Sequence, residues 1–161
     1  MNIEDDILVV DDEIPSLRLL SDLLEKEGYT VRPADNAQTA IDSALAKPPR
    51  LILLDVRMPE MDGFEICRHL QQDKRTNQIP IIFVSALDDI DAKIQGFQVG
   101  GVDFITKPFQ DQEVLARVRT HIDLHRMQQE LEQLVDERTL ELNESRTALE
   151  EKVRELQESQ E

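Results

Sequence analysis

Short apolar runs recur along this chain, and a stretch with helical spacing separates each run from the next. The runs are Ile7 to Val10, Tyr29 to Val31, Leu51 to Leu54, Ile79 to Val84 and Val102 to Thr106. Leu51–Ile52–Leu53–Leu54 is unbroken and bounded by loop residues, which fits a strand covered on both faces, although a buried helical turn has the same pattern. Between the runs, Leu17, Leu20, Leu23 and Leu24 follow Pro15 at helical spacing and end near Gly28. Asn36 is an N-cap candidate for a helix through Ala40, Ile41, Ala44 and Leu45, stopped before Pro48–Pro49. A third helix carries Phe64, Ile66, Cys67 and Leu70 after Gly63. A fourth, Asp88 to Val99, has Ile90, Ile94 and Phe97 on one side and Gly96 set awkwardly within it. Gly100–Gly101 ends it, and Pro80 lies near the start of its run, where a strand tolerates proline. With a last helix from Asp111, strands and helices alternate throughout. That alternation predicts an α/β fold, a doubly wound five-stranded parallel sheet with right-handed crossovers and helices on both faces.

The charge balance narrows the partners. The chain has 161 residues and a net charge of −16, and both the part before residue 124 and the part after it are acidic. Both parts repel phosphate backbones, so direct nucleic-acid binding is not expected. No run of 18 apolar residues and no charged-then-apolar N-terminus is present, so neither a membrane span nor a signal peptide is predicted. The single cysteine, Cys67, cannot form an internal disulfide, which suits the cytoplasm, and it reads as an inert helix residue.

Two of the runs end in carboxylates. Ile7 to Val10 runs into Asp11, Asp12 and Glu13, and Leu51 to Leu54 runs into Asp55, followed by a loop marked by Pro59 and Asp62–Gly63. If strands one and three are neighbours, Asp11, Asp12 and Asp55 meet at the C-terminal sheet edge, where open α/β sheets place their ligand sites. Three close carboxylates repel, and a hard divalent cation relieves the repulsion. Oxygen-only ligands favour Mg²⁺, with Mn²⁺ as a substitute. On these residues alone, a solvated strand end explains the aspartates equally well.

Four segments taken together go further. VVDDE at 9–13, LLDVRMPEMDG at 53–63, FVSA at 83–86 and ITKPF at 105–109 resemble the receiver domain of bacterial response regulators, over roughly residues 5–122. The resemblance implies a flavodoxin-like sheet of order 2-1-3-4-5, with Asp55 phosphorylated by a partner histidine kinase or phosphotransfer protein. It also implies Mg²⁺ held directly by Asp12 and Asp55, through water by Asp11, and by the backbone carbonyl of Arg57. Lys107 matches the family's lysine, Ser85 its Ser/Thr, and Phe104 its switch aromatic. Pro108 matches a proline preceded by a cis bond, which only X–Pro bonds adopt at modest cost. Phe104 lacks a tyrosine's hydroxyl, so it can switch by packing only. Arg57 and Leu87, two places beyond Asp55 and Ser85, are expected to slow loss of the phosphoryl group by limiting access of water.

Those roles have a physical basis. Asp55 and the incoming phosphoryl group are both anionic, and a divalent cation with the Lys107 ammonium offsets that charge as it redistributes in the transition state. In-line positioning does much of the rest. The Ser85 hydroxyl can donate to a phosphoryl oxygen that did not exist before transfer, which draws in its loop and opens space for Phe104 to turn.

From Asp111 onward no helix breaker is found. Val114, Leu115, Val118 and Ile122 form a domain-packing face, and Leu124, Met127, Leu131, Val135, Thr139, Leu142, Arg146, Leu149, Val153 and Leu156 then follow heptad-like steps. Consecutive four-residue steps between Met127 and Thr139 resemble a stutter. Val135, Leu142, Leu149 and Leu156 recur every seventh residue, whereas Thr139 and Arg146 weaken the seam. A parallel two-stranded coiled coil is expected, the alternative being a lone charged helix with intrahelical pairs such as Glu150 with Arg154. The expected organisation is a receiver at 1–122 and a coiled-coil extension at 123–161, leading to an output domain beyond the helix. LEQLVDERTLEL also resembles the signalling helices that join receivers to sensor-kinase, diguanylate-cyclase or phosphatase modules. His69, His121 and His125 read as ordinary helix-surface residues.

The function expected from all this is a cytoplasmic phospho-acceptor that catalyses its own phosphorylation and dephosphorylation, dimerises through its last helix and signals to an effector. A degenerate receiver acting only as a dimeric scaffold is the alternative. A metal-dependent phosphohydrolase ranks last, because Arg57 stands where a second acid/base carboxylate would be needed.

Overall fold

In a computed structural model of the chain, residues 5–86 and 90–160 are described. Five parallel strands form one sheet in the order β2-β1-β3-β4-β5: β1 Asp6–Val10, β2 Thr30–Ala34, β3 Leu51–Asp55, β4 Ile81–Ala86 and β5 Asp103–Lys107. Helices α1 Ile14–Lys26, α2 Ala37–Ala46, α3 Gly63–Gln71 and α4 Ile90–Gln98 connect them, and α5 runs from Asp111 to Ser159. This is the doubly wound, flavodoxin-like fold expected above.

Side chains alternate strictly between the two faces of a strand, and the core divides accordingly. Leu8, Val10, Ile52, Leu54, Ile81 and Phe83 face one way and pack against residues of α2 and α3 such as Ala40, Ala44, Ile66 and Leu70. Ile7, Val9, Leu51, Leu53, Ile82 and Val84 face the other way, toward Leu17, Leu20 and Leu24 of α1 and Val114, Val118 and Ile122 of α5. Because both faces are covered, the inner strands β1, β3 and β4 are apolar along most of their length with polar side chains at their ends, whereas the edge strand β2, TVRPA, is only partly covered.

Local chemistry sets the helix boundaries. Pro15 stands in the first turn of α1, and Gly28, at φ 96°, takes the left-handed conformation just past its end. Asn36 caps α2 by accepting from the Thr39 N–H at 2.8 Å, and Asp62 caps α3 by accepting from the Glu65 N–H at 2.9 Å.

One expectation from the sequence holds and one is corrected. Ile90, Ile94 and Phe97 do share one side of α4, but they are exposed, and the side facing the sheet carries Ala92 and Gly96. The rings of Phe83 and Phe104 occupy the space that large inward side chains would need. Two of the three histidines are not surface residues: His121 is half-buried against Asp103, and His125 is buried, whereas His69 is exposed. Asp88 and Leu87 lie outside the described residues.

The chain divides into two compact units, Met1–Asp123 and Leu124–Glu161. The second unit is helical, and Leu131, Val135, Leu142, Leu149, Val153 and Leu156 on it are exposed. Among the described residues, no helix is long and apolar enough to cross a membrane.

Candidate functional site

The register of the sheet builds the site. Pairing of β1 with β3 sets Val10 beside Leu54, so the residues that follow, Asp11 and Asp55, emerge together at the C-terminal edge. One oxygen from each of Asp11, Asp12 and Asp55 falls within 4.8 Å of the others. Asp11 and Asp55 are buried, and Asp12 is half-buried. Asp11 is fixed by its surroundings, its N–H donating to the Ala34 carbonyl at 3.1 Å and its Oδ1 accepting from the Glu13 N–H at 2.9 Å.

Lys107, at the end of β5, reaches into the cluster. Its Nζ donates to Asp11 Oδ2 at 3.1 Å and lies 3.8 Å from Asp55 Oδ2. The Lys107–Pro108 peptide bond is cis. Burial would lower the Lys107 pKa, but the negative charges of Asp55 and Asp11 outweigh it and hold the ammonium in its charged form. Asp55 moves the other way: burial first, then the Asp11 charge, push its carboxyl up to about 7, against the opposing pull of Lys107 and a backbone hydrogen bond from Arg57.

On the neighbouring strand Ser85 is buried, and its Oγ has no hydrogen-bond partner among the described residues. A buried hydroxyl without a partner costs about 1–3 kcal/mol, so it is a group that a ligand oxygen could satisfy. Phe104 points inward at 6% exposure, its ring centroid 5.4 Å from that of Phe83 and 5.5 Å from that of Phe97.

The loop after Asp55 folds back on β3. The Gly63 N–H donates to the Val56 carbonyl at 2.9 Å, and a Cβ on Gly63 would collide with the backbone oxygen of Asp55. Glycine is therefore required there for close approach of backbone to backbone. Cys67 is buried, and burial pushes its thiol up to about 11, far from the reactive range.

Sequence reasoning missed the clasp around Asp103. Its carboxylate accepts from Arg117 Nη1 at 2.6 Å, from the Phe104 N–H at 2.8 Å and, through Oδ2, meets His121 Nε2 at 2.9 Å. Burial alone would raise its pKa, but the hydrogen bonds from His121, Phe104 and Arg117 together hold it below the usual carboxylate value. The signal was available, because Arg117 and His121 are four residues apart and so share one face of α5.

The donors fit a hard divalent cation. All are oxygens, and they converge from two strand ends to within 4.8 Å of one another, where their negative charges repel. A parallel sheet with a carboxylate cluster and a lysine at its C-terminal edge defines a class, the doubly wound α/β domain with an acidic ligand site at its strand ends. The chain belongs to the response regulator receiver domain family, whose model matches residues 7–119.

The relatives agree. Response regulator PleD of Caulobacter vibrioides is 46% identical over 114 residues, which cover 71% of this chain and 25% of PleD. The phosphate regulon transcriptional regulatory protein PhoB of Pseudomonas aeruginosa is 43% identical over 113 residues, or 70% of this chain and 49% of PhoB. The solved signal receiver domain of a signal transduction histidine kinase from Syntrophus aciditrophicus matches with a TM-score of 0.69 and 33% identity, covering 74% of this chain and 90% of that one. The chain thus spans a quarter of PleD and about half of PhoB. Receivers take part in two-component phosphotransfer from a histidine kinase or other phosphodonor and bind Mg²⁺ at an acidic pocket. This chain has a role of that kind and carries such an aspartate cluster.

Proposed function

We propose that Asp55 is the phospho-acceptor of a cytoplasmic two-component signalling protein, taking its phosphoryl group from a histidine kinase or phosphotransfer protein. The observation that carries this is the convergence of Asp11, Asp12, Asp55 and Lys107 at one sheet edge, with a buried Ser85 hydroxyl on the neighbouring strand that has no partner among the described residues. An Asp55 carboxylate oxygen attacks phosphorus in line, and the O–P bond forms as the N–P bond to the donor imidazole breaks. The Lys107 ammonium lies within reach of the acceptor and offsets the charge that gathers on the transferring group. Asp11, Asp12, Asp55 and the Arg57 carbonyl would hold Mg²⁺, which would supply further neutralisation of that charge.

After transfer, the Ser85 hydroxyl donates to a phosphoryl oxygen, and Phe104 turns as the end of β4 shifts. Exposed Leu142, Leu149 and Leu156 on the second unit support a parallel dimer through the last helix, because an apolar residue recurring every seventh position needs a partner to bury it. The dimer carries the signal to an effector.

Intact mass after incubation with Mg²⁺ and acetyl phosphate tests the site. The wild type gains one phosphoryl group and Asp55→Asn gains none. A gain retained in Asp55→Asn moves the acceptor elsewhere, and no gain in the wild type leaves a dimeric scaffold.

A further inference from the structure

The helical second unit carries two apolar seams, each regular by itself. Leu124, Met127, Leu131 and Leu134 follow steps of three, four and three. A second seam, with Val135, Leu142, Leu149 and Leu156 at every seventh position, begins at the very next residue. Leu134 and Val135 thus hold the same place in two heptads that are one residue, or about 100° around the helix axis, out of phase. Neither seam runs through the other. Carried onward, the first would bring Arg138 and Glu141 to the dimer contact, an exposed pair whose side chains meet at 3.4 Å. Carried backward, the second would bring in Gln128 and Glu132, hydrogen-bonded at 3.3 Å on the surface. No glycine or proline interrupts this part of the helix to absorb the difference at a kink. Leu134 and Val135 are nearly alike in exposure, at 49% and 54%, so neither is already buried by its own chain.

We propose, resting on the parallel dimer read above, that Leu134 and Val135 compete for one layer of the dimer seam, so that the helix has two packings differing by a local rotation of about 100°. With Leu134 inward the first seam is complete and the break follows it. With Val135 inward the second is complete and the break precedes it. Each packing buries one aliphatic side chain per copy and leaves the other in water, which keeps the two close in free energy. Two discrete packings of one sequence make a two-state element, and a twist imposed at either end of the helix shifts the balance between them.

Single-cysteine variants of the full chain test this, with diamide as the oxidant. Cys67 is buried, so the wild type is the blank. In-register parallel copies bring the same seam residue of each helix face to face, and a cysteine there crosslinks. Leu134→Cys and Val135→Cys both crosslink, as do Leu131→Cys and Leu142→Cys on either side of the joint. Arg138→Leu then lengthens the first seam by one layer, and Glu132→Leu lengthens the second. A leucine buried in one packing and exposed in the other biases the pair by about tenfold or more. The initial rate of crosslinking through Val135→Cys therefore falls about fivefold in the Arg138→Leu background, and that through Leu134→Cys about fivefold with Glu132→Leu.

A single fixed seam would give crosslinking at only one of the two positions, or rates that neither added leucine changes, and either result overturns the proposal. Sedimentation of the wild type separates it from the reading on which it rests. A monomer removes the dimer and the two packings together, whereas a dimer with one fixed seam removes the two packings alone.

Discussion

Gly63→Ala tests whether the loop after the acceptor strand is built by backbone contact. Gly63 opens α3, where the added methyl would by itself stabilise the helix by at most about 1 kcal/mol. Its Cβ would instead lie 3.1 Å from both the carbonyl carbon of Asp55 and Cα of Val56, and closer still to the Asp55 oxygen. Carbon atoms in good contact sit about 3.5–4.0 Å apart, so something must move by roughly half an ångström or more. The Asp55–Val56 peptide resists, because the Val56 N–H donates to the Val84 carbonyl at 3.1 Å within the sheet. The loop must give, and the 2.9 Å bond from Gly63 N–H to the Val56 carbonyl is what weakens. Overpacking of this kind costs about 1–3 kcal/mol and a weakened hydrogen bond about 1 kcal/mol more. After the helix gain is subtracted, a net loss of about 1–3 kcal/mol remains, a fall of several degrees in Tm for a domain of this size. The same displacement sits beside the acceptor carboxylate, and misplacement on the order of 1 Å costs about a hundredfold in rate. Urea unfolding followed by circular dichroism reads the first effect, and acetyl phosphate incorporation by intact mass reads the second. Gly28→Ala is the control, since its added Cβ meets nothing and only its φ of 96° is unfavourable. It should destabilise by about 1–2 kcal/mol and leave the incorporation rate alone. A Gly63→Ala protein with wild-type stability and rate would refute the close-approach argument.

Other perturbations have equally definite outcomes. Mg²⁺ at a hundred times its Kd should stabilise the chain by about 2.7 kcal/mol against urea, and Asp12→Asn should abolish most of that gain; equal stabilisation of both proteins would remove the cation from this cluster. Asp103 is held below its ordinary pKa, so its contribution is present above about pH 4 and lost as the pH falls through its folded value. Asp103→Asn should therefore cost about 1 kcal/mol at pH 7, and the gap in urea midpoint should narrow steadily as the pH falls below about 4; an unchanged gap would contradict the assignment. Replacing Arg57 and Leu87 together with alanine should shorten the acyl-phosphate lifetime several-fold when its loss is followed by mass, and an unaltered lifetime counts against shielding by these side chains. Leu142→Lys with Leu149→Lys should convert a dimer to a monomer in analytical ultracentrifugation, whereas an unchanged sedimenting mass would place the dimer contact elsewhere.

The alternation of strands and helices was legible in the apolar runs, whereas the strand order came only from the resemblance, because runs that end in carboxylates do not say which strands are neighbours and so whether Asp11 meets Asp55. Lys107 was legible only through its matched segment, since a lysine after a strand usually faces solvent. The orientation of α4 could not be read from spacing. Periodicity identifies which residues share a side, and Ile90, Ile94 and Phe97 do, but which side faces the sheet depends on the volume already taken by Phe83 and Phe104. Gly96, awkward as a helix residue, was the available clue, because a glycine within a helix often marks close packing. The histidines escaped for a similar reason: what meets His121 is an aspartate on β5, distant in sequence and adjacent only once the sheet has formed.

Lys107 is tethered to Asp11 before any phosphodonor arrives. A free lysine side chain surrenders about 2 kcal/mol of rotamer entropy when it is immobilised, and here that loss accompanies folding instead of recurring with each reaction cycle. In the proposed reaction the ammonium beside Asp55 consequently stands ready before transfer, and Asp11 serves twice, as a prospective ligand to the cation and as the mooring of the ammonium.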